Sequence, residues 1–466
     1  MFIDGVRKAT GDTRPVHDRW TGAVLGSVAL DSAVDVDHAV RSVAARRPAL
    51  PAEQRARILG RCAELLRQRA DEFATRSTAE SGVCRRETSR EVARACANLE
   101  VAAAEAVRLR GEAIPVPGAA RLAVTVPEPV GVVAAITPFN RPLNQVVVKL
   151  APAIAAGCTV VLKPSERTPL TALAFAELLL EAGLPAGMLA VVTGDPRTVG
   201  PALTGHPLID MVTFTGSVPA GRAVAAAAAG RKLLLELGGN DPLIVLDDAD
   251  LDRAASLAAD GAFATAGQSC RGIKRVIVTA AVADAFVSRL VVAAAAKRCG
   301  DPRDPATDVG PLVDEPAATE VLDRVHAAVA AGARLLLGGT REGALVPPTV
   351  LDRVPADAVL VTEETFGPVA PVIRVRDADE AVAVANSTAY GLQAGVLTRD
   401  SDAFWRIAER LRVGAVNLGE GPHYDSPHIP FGGVKASGYG REGMRYAIRE
   451  MSVAKTITVP YGVNDG

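Results

Sequence analysis

From about Ser32 to Val107, apolar residues recur every three or four positions in Ala-, Arg- and Glu-rich text, as in Arg57-Ile-Leu-Gly-Arg-Cys-Ala-Glu-Leu-Leu-Arg67. That spacing predicts several amphipathic helices. After Ile114-Pro-Val-Pro the pattern changes to Arg121-Leu-Ala-Val-Thr-Val, strand-like text between prolines that predicts a hairpin arm. Short apolar runs then alternate with helical segments such as residues 168–182. The runs are Gly131-Val-Val-Ala-Ala-Ile, Thr159-Val-Val-Leu, Leu189-Ala-Val-Val, Met211-Val-Thr-Phe and Leu233-Leu-Leu-Glu. This is βαβ text and predicts a parallel sheet covered on both faces. A second set, Leu243-Ile-Val-Leu, Arg275-Val-Ile-Val, Val369-Ala-Pro-Val-Ile and Gly395-Val-Leu-Thr, predicts a second α/β domain. Near the end, Ala454-Lys-Thr-Ile-Thr-Val alternates like an edge strand, the kind that pairing with a second chain covers.

Composition narrows the class. With 466 residues, 49% apolar and 22% charged, the chain is long enough for two or three packed units and too apolar for extended disorder. A formal charge of −2 gives no global attraction to nucleic acid or to an anionic membrane. The longest apolar stretch, residues 150–162, is short for a membrane span and is bounded by Lys149 and Lys163. Asp4, Arg7 and Lys8 stand where a secretory signal needs apolar residues. Six cysteines, at positions 62, 84, 96, 158, 270 and 299, show no metal-ligand spacing, so no metal site is expected. Their sparseness suits a reducing cytoplasm.

Candidate chemistry sits at the ends of the predicted strands. Gly267-Gln-Ser-Cys270 places a thiol in a Gly- and Ser-containing turn beside Arg271, whose charge favours the thiolate. A lone cysteine is more often a small buried hydrophobe, so its neighbours matter. Glu236 ends an apolar strand in Glu236-Leu-Gly-Gly-Asn, where a carboxylate either reaches solvent or enters a cleft and activates water. Asn140, in Thr137-Pro-Phe-Asn140, is either a turn residue or an amide donor to an oxyanion. Phe214-Thr-Gly-Ser217 with Gly221 forms a strand-to-helix turn able to present N–H groups to a pyrophosphate. Lys163-Pro-Ser-Glu166 ends another strand of the same sheet, with one cation and one carboxylate suited to ribose hydroxyls.

In their order along the chain these segments, with Glu363-Glu-Thr-Phe-Gly-Pro, Pro430-Phe-Gly-Gly-Val-Lys and Gly438-Tyr-Gly-Arg-Glu-Gly, resemble the aldehyde dehydrogenase superfamily over nearly the whole length. The resemblance implies an α/β fold with a Rossmann-type cofactor domain (1–110 and 130–238), an α/β catalytic domain (239–436) and a small β oligomerisation unit (111–129 and 437–466). It implies Cys270 as nucleophile, Asn140 as oxyanion donor and Glu236 as the base that deprotonates the hydrolytic water. It places Thr137, Lys163, Ser165, Glu166, Gly216, Ser217, Gly238, Glu364 and Phe366 around the cofactor. NAD is expected because Glu166 accepts from a 2′-hydroxyl and repels a 2′-phosphate, with NADP possible. A homodimer or homotetramer is implied.

For the substrate, Arg141 follows Asn140, Arg271 follows Cys270, and Arg94 lies on the helix that lines the substrate entrance in similar proteins. Converging guanidinium groups call for an anion. A small anionic aldehyde is therefore expected, with His423, Ser426 or His428 of the loop before Pro430-Phe-Gly-Gly as a further contact. Local motifs resemble the branch with lactaldehyde, non-phosphorylating glyceraldehyde-3-phosphate and phosphonoacetaldehyde dehydrogenases. A phosphonate-bearing aldehyde is the leading expectation, with succinic semialdehyde, lactaldehyde or glyceraldehyde 3-phosphate as alternatives. In the opposing reading the arginines point outward or pair with Glu91, Glu100 or Glu105. Two other classes remain: a coenzyme A-acylating enzyme, which needs no Glu236, and a catalytically idle binding relative.

Overall fold

The computed structural model describes residues 1–8, 11–46, 50–424 and 426–460. The helical text becomes Ala33–Ala45, Ala52–Gln68, Ala70–Ser81 and Arg85–Ala106. Local chemistry sets their ends: Ser32 and Asp35 form a reciprocal capping box at the first helix. Gly82, at φ 77°, ends the third in the left-handed conformation that glycine adopts without a steric cost.

The first sheet runs in the order Gly438–Tyr439, Lys232–Glu236, Met211–Thr215, Val132–Ile136, Thr159–Lys163, Leu189–Val191, Phe2–Ile3, Val6–Arg7. Its five central strands are parallel. Consecutive residues go to opposite faces: Val133, Ala135, Val160 and Leu162 join one core with the helices Asn144–Ala156 and Pro169–Glu181, while Val132, Ala134 and Val161 join another with Ala33–Ala45. Burial on both faces explains their unbroken apolar text.

The second sheet has the order Arg334–Leu337, Thr349–Asp352, Val369–Val375, Arg275–Thr279, Pro242–Val245, Gln393–Leu397, Ala415–Leu418. It is parallel except for its first pair. A third, antiparallel sheet joins Ala113–Ile114, Arg121–Pro129 and Ser452–Pro460, the last two in register from Ser452 opposite Pro129 to Pro460 opposite Arg121. Gly438–Tyr439 belongs to the first sheet, although it follows the expected boundary at 436, and residues 461–466 of the expected oligomerisation unit lie outside the described residues. No helix among the described residues is long and apolar enough to cross a membrane.

Only residues 237–241 separate the last strand of the first sheet's parallel set, which ends at Glu236, from the first strand of the second, which starts at Pro242. This short connection brings the carboxyl ends of one sheet against the other. Asn140, Lys163, Gly216 and Glu236 all follow or end strands at that edge, where doubly wound folds bind their ligands.

Candidate active site

Cys270 lies beyond the helix Leu251–Phe263, which is capped by Asp250, and beyond a turn of unusual backbone. Thr265 and Ala266 both have φ 53°, a conformation that costs an L-residue about 1–3 kcal/mol and persists only where neighbours hold it. Gly267 follows at φ 69°, and a Cβ there would lie 2.0 Å from the Gly367 carbonyl oxygen. Gln268 supplies several of the restraints. Its side-chain oxygen accepts from Val313 N at 2.9 Å, and its carbonyl accepts from the Asn140 amide at 2.8 Å. That amide has a second N–H to offer. Burial pushes the Cys270 thiol up to about 12, as do Glu364, Asp241 and Glu236, while Arg271 opposes the rise.

The Glu236 carboxylate is buried, and neither oxygen has a hydrogen-bond partner. Burial and the nearby Glu442 carboxylate hold it well above the usual range, against the pull of Lys149 and Arg441. Lys149 itself sits 2.9 Å from Glu442 and donates to Thr213 Oγ1 at 3.1 Å. Gly432 makes room, since a Cβ there would lie 2.6 Å from Glu236 Oε1. An unpartnered buried carboxylate with a raised pKa is a group that can take a proton.

On one side of the thiol the backbone forms a cradle. Gly216 and Ser217 lead from the strand Met211–Thr215 into the helix Val218–Ala227, whose first turn Ser217 caps by accepting from Ala220 N at 3.4 Å. A Cβ at Gly216 would meet the Phe214 ring at 2.5 Å, and one at Gly221 would meet Leu237 at 2.3 Å. A close helix N-terminus of this kind fits a pyrophosphate. Thr137 N donates to Lys163 O at 3.2 Å, and Ser165 Oγ accepts from Arg167 N at 3.2 Å, fixing the neighbouring strand ends. Lys163 Nζ stands 3.9 Å from Glu166, and Arg167 flanks the same carboxylate at 3.8 Å. Burial lowers Lys163, with Glu166 opposing. Glu364 Oε1 accepts from Gly239 N at 3.2 Å, and a Cβ at Gly238 would strike the other oxygen at 2.3 Å. Phe366 meets Phe139 edge to face at 6.0 Å. These groups suit a dinucleotide: N–H donors for phosphates, carboxylates for ribose hydroxyls and an aromatic wall.

On the other side are two connected cavities. An inner one of about 70 Å³ is lined by Cys270, Asn140, Glu91, Arg94, Arg141 and Arg271, among others. A vestibule of about 520 Å³ shares the three arginines and adds Glu87, Arg90 and His423. The arginines feel one another. Arg271 falls to about 9 through burial, then through Arg94 and Arg141. Arg271 donates to His423 O at 3.0 Å and stands 5.9 Å from the Phe431 ring centre. Arg141 lies 3.8 Å from Glu87, whose other oxygen accepts from Arg90 at 2.6 Å. Glu100 and Glu105 point elsewhere, to Arg67 and Arg108. His428 is exposed and lines neither cavity, although its neighbours Ser426 and Pro427 line the inner one.

Four participants had escaped the sequence reading. Glu91 was weighed only as an arginine partner, yet its Oε1 accepts from Leu143 N at 2.9 Å and Asn144 N at 2.8 Å, tying the Arg141 segment to the helix that carries Arg94. The pattern Glu87, Glu91, Arg94 on one helical face was the available signal. Gln268, Lys149 and Glu442 had no comparable spacing.

The aldehyde dehydrogenase family profile matches residues 6–457. A 3-sulfolactaldehyde dehydrogenase from Priestia aryabhattai is 40% identical over 464 residues, covering 98% of this chain and 97% of the relative. The succinate-semialdehyde dehydrogenase [NADP(+)] GabD of Escherichia coli is 41% identical over 443 residues, 94% and 92% of the two chains. Among solved structures, the glyceraldehyde-3-phosphate dehydrogenase GapN from Methanocaldococcus jannaschii, complexed with NADP, superposes with a TM-score of 0.93 at 36% identity over 96% of this chain and 99% of that one. With the family profile spanning residues 6–457 and relatives about 40% identical over nearly the whole length, the chain belongs to the aldehyde dehydrogenase family, as an NAD(P)-dependent enzyme that oxidises aldehydes.

Proposed function

We propose that the protein oxidises a small aldehyde carrying a distal oxyanion to the corresponding carboxylic acid, using NAD or NADP. In this reading the Cys270 sulfur attacks as the thiolate, its S–C bond forming as the carbonyl π pair moves onto oxygen, and that oxyanion is held by the second N–H of Asn140 and the Cys270 backbone N–H. NAD(P), when bound, takes the hydride from that carbon. The thioester on Cys270 is then attacked by water, Glu236 accepting the water proton and the acid leaving as the thiol re-forms. A thioester passed to a second thiol would need no such buried base, which favours hydrolysis over acyl transfer. Lys163, Ser165, Glu166, Gly216, Ser217, Gly238, Glu364, Phe366 and Thr137 hold the dinucleotide. Glu166 favours NAD, while Lys163 and Arg167 beside it leave room for a 2′-phosphate.

The observation that carries the substrate class is the convergence of Arg94, Arg141 and Arg271 on the cavity that contains Cys270. The inner space admits little more than the aldehyde head, which puts the anion among the arginines at the vestibule. Relatives named for sulfolactaldehyde and succinate semialdehyde favour a sulfonate or carboxylate over the phosphonate expected from sequence. The exposed edge strand Ser452–Pro460 favours a homo-oligomer.

The test is NAD(P)H formation at 340 nm with sulfolactaldehyde, sulfoacetaldehyde, succinic semialdehyde, lactaldehyde, glyceraldehyde 3-phosphate, phosphonoacetaldehyde and propanal. An anionic aldehyde is expected to exceed propanal in kcat/KM by about a hundredfold or more, the worth of a charge-assisted contact or two. Equal turnover of propanal ends the anion reading.

A further inference from the structure

Lys274 has no part in the chemistry above, yet it is a buried cation beside the nucleophile turn. Its side chain is 4% exposed, and its Nζ donates to the Gly267 carbonyl. The same nitrogen lies 5.3 Å from the centre of the Phe366 ring, which Phe139 meets edge to face. Burial lowers it to about 8, while Glu364, Cys270 and Asp241 hold it up. A methionine fills similar space without the cost of removing an ammonium from water, so packing alone does not account for a lysine here.

The carbonyl it holds has structural consequence. Gly267 is the last of three consecutive residues in the left-handed region, two of them not glycine, and the next turn carries Cys270. Gln268 ties this segment to Val313 and Asn140 through neutral hydrogen bonds. Lys274 supplies a charge-assisted one, the stronger kind, and reaches from the nucleophile turn to the aromatic wall of the cofactor cradle.

We propose that Lys274 is a positioning residue for Cys270, its ammonium clamping the Gly267 carbonyl so that the strained turn keeps the thiol in its attacking position against the Phe366 wall. The proposal rests on Cys270 being the nucleophile. It predicts a clamp that is charge-assisted at neutral pH and weakens as Lys274 loses its proton on the alkaline side. The charged groups facing Lys274 are Glu364, Asp241 and Cys270 itself.

The test uses the full chain without aldehyde or dinucleotide. Iodoacetamide alkylation of Cys270 is followed by peptide mass spectrometry from pH 6 to 10, with the exposed Cys299 as internal standard. Lys274→Met is expected to lower the Cys270 to Cys299 rate ratio about tenfold and kcat by about tenfold to a hundredfold, the scale of a misplaced reacting group, with the aldehyde KM little changed. Lys274→Gln, which keeps a donor, is expected to recover a large part of both. The wild-type ratio is expected to break near pH 8 and the Lys274→Met ratio is not. An unchanged ratio in Lys274→Met overturns the clamp, as does a kcat loss that Lys274→Gln does not relieve. Should Lys274→Met fail to fold, Lys274→Gln and the wild-type pH break decide, and a wild-type profile without the break overturns the proposal. Cys270→Ala keeps the two readings apart. Retained turnover removes Cys270 as nucleophile, whereas an inactive Cys270→Ala with unchanged alkylation in Lys274→Met sinks only the clamp.

Discussion

The two sides of Cys270 are built on different principles. The side proposed for the cofactor is mostly backbone: Gly216, Gly221 and Gly238 each stand where a single Cβ would strike a ring, a leucine or the Glu364 carboxylate. Its shape is set by close approach. The side proposed for the substrate is mostly charge, with Arg94, Arg141 and Arg271 facing one another across a small cavity and answered by Glu87 and Glu91. On the proposed reading its selectivity comes from the clustered guanidinium charge. The difference teaches where each can be altered. Adding a methyl group damages the first, and removing a guanidinium damages the second.

Removing the shared centre gives the largest effect and affects both sides alike. Cys270→Ala is expected to lower turnover by about 10³-fold or more for every aldehyde and either dinucleotide, since loss of a nucleophile removes the covalent route. Glu236→Gln is expected to cost about 10²- to 10⁴-fold in steady-state kcat while leaving a single burst of reduced dinucleotide, the mark of a thioester formed but not hydrolysed. Because burial and Glu442 raise Glu236, its proton-accepting form grows as pH increases, so kcat should rise with pH above the usual carboxylate range. Glu442→Gln removes a repelling charge and leaves Lys149 to lower Glu236. The rising limb should therefore move to lower pH, and a pH–kcat profile of both proteins checks it.

The next two substitutions separate the sides. Arg141→Ala is expected to lower kcat/KM for anionic aldehydes by about tenfold to a hundredfold and to leave propanal unchanged, because one charged hydrogen bond is worth about 1.5–3 kcal/mol. Gly238→Ala places a methyl group 2.3 Å from Glu364 Oε2. Overpacking of that kind costs about 1–3 kcal/mol, so dinucleotide affinity measured by calorimetry should fall about tenfold, with the preference among aldehydes untouched. Had the two sides shared one design, each substitution would move both readouts.

The same contrast decides what could be read from the chain. The cradle was legible because glycines, a strand end and a helix start lie next to one another in Phe214-Thr-Gly-Ser217, and buried parallel strands write themselves as unbroken apolar runs. Short edge strands such as Val6–Arg7 and Gly438–Tyr439 escaped, since two residues carry no period. Arg141 and Arg271 could be suspected from adjacency to Asn140 and Cys270. Glu91 as the tie that holds the Arg141 segment could not, because that role exists only after two helices pack. His428 looked equivalent to His423 in the text, yet the loop sends one to solvent and the other to the vestibule. Lys274 follows Cys270 by one turn of chain, and only the left-handed backbone before Cys270 brings its ammonium back to Gly267.

The smallest expected effect tests a charge on the side proposed for the cofactor. Glu166 stands between Lys163 at 3.9 Å and Arg167 at 3.8 Å, so its carboxylate is attracted by two cations as well as being placed to accept from a ribose hydroxyl. Glu166→Gln keeps an acceptor for the 2′-hydroxyl and removes the repulsion of a 2′-phosphate, leaving both cations to attract it. The ratio of kcat/KM for NADP to that for NAD should rise by about three- to tenfold, within the modest worth of partly exposed charges, mostly through NADP. Raising the ionic strength should shrink that gain, since the groups are partly in water and a salt-screened contact weakens. An unchanged ratio would mean that the backbone cradle alone selects the dinucleotide, and the division between a side built by shape and a side built by charge would then be complete.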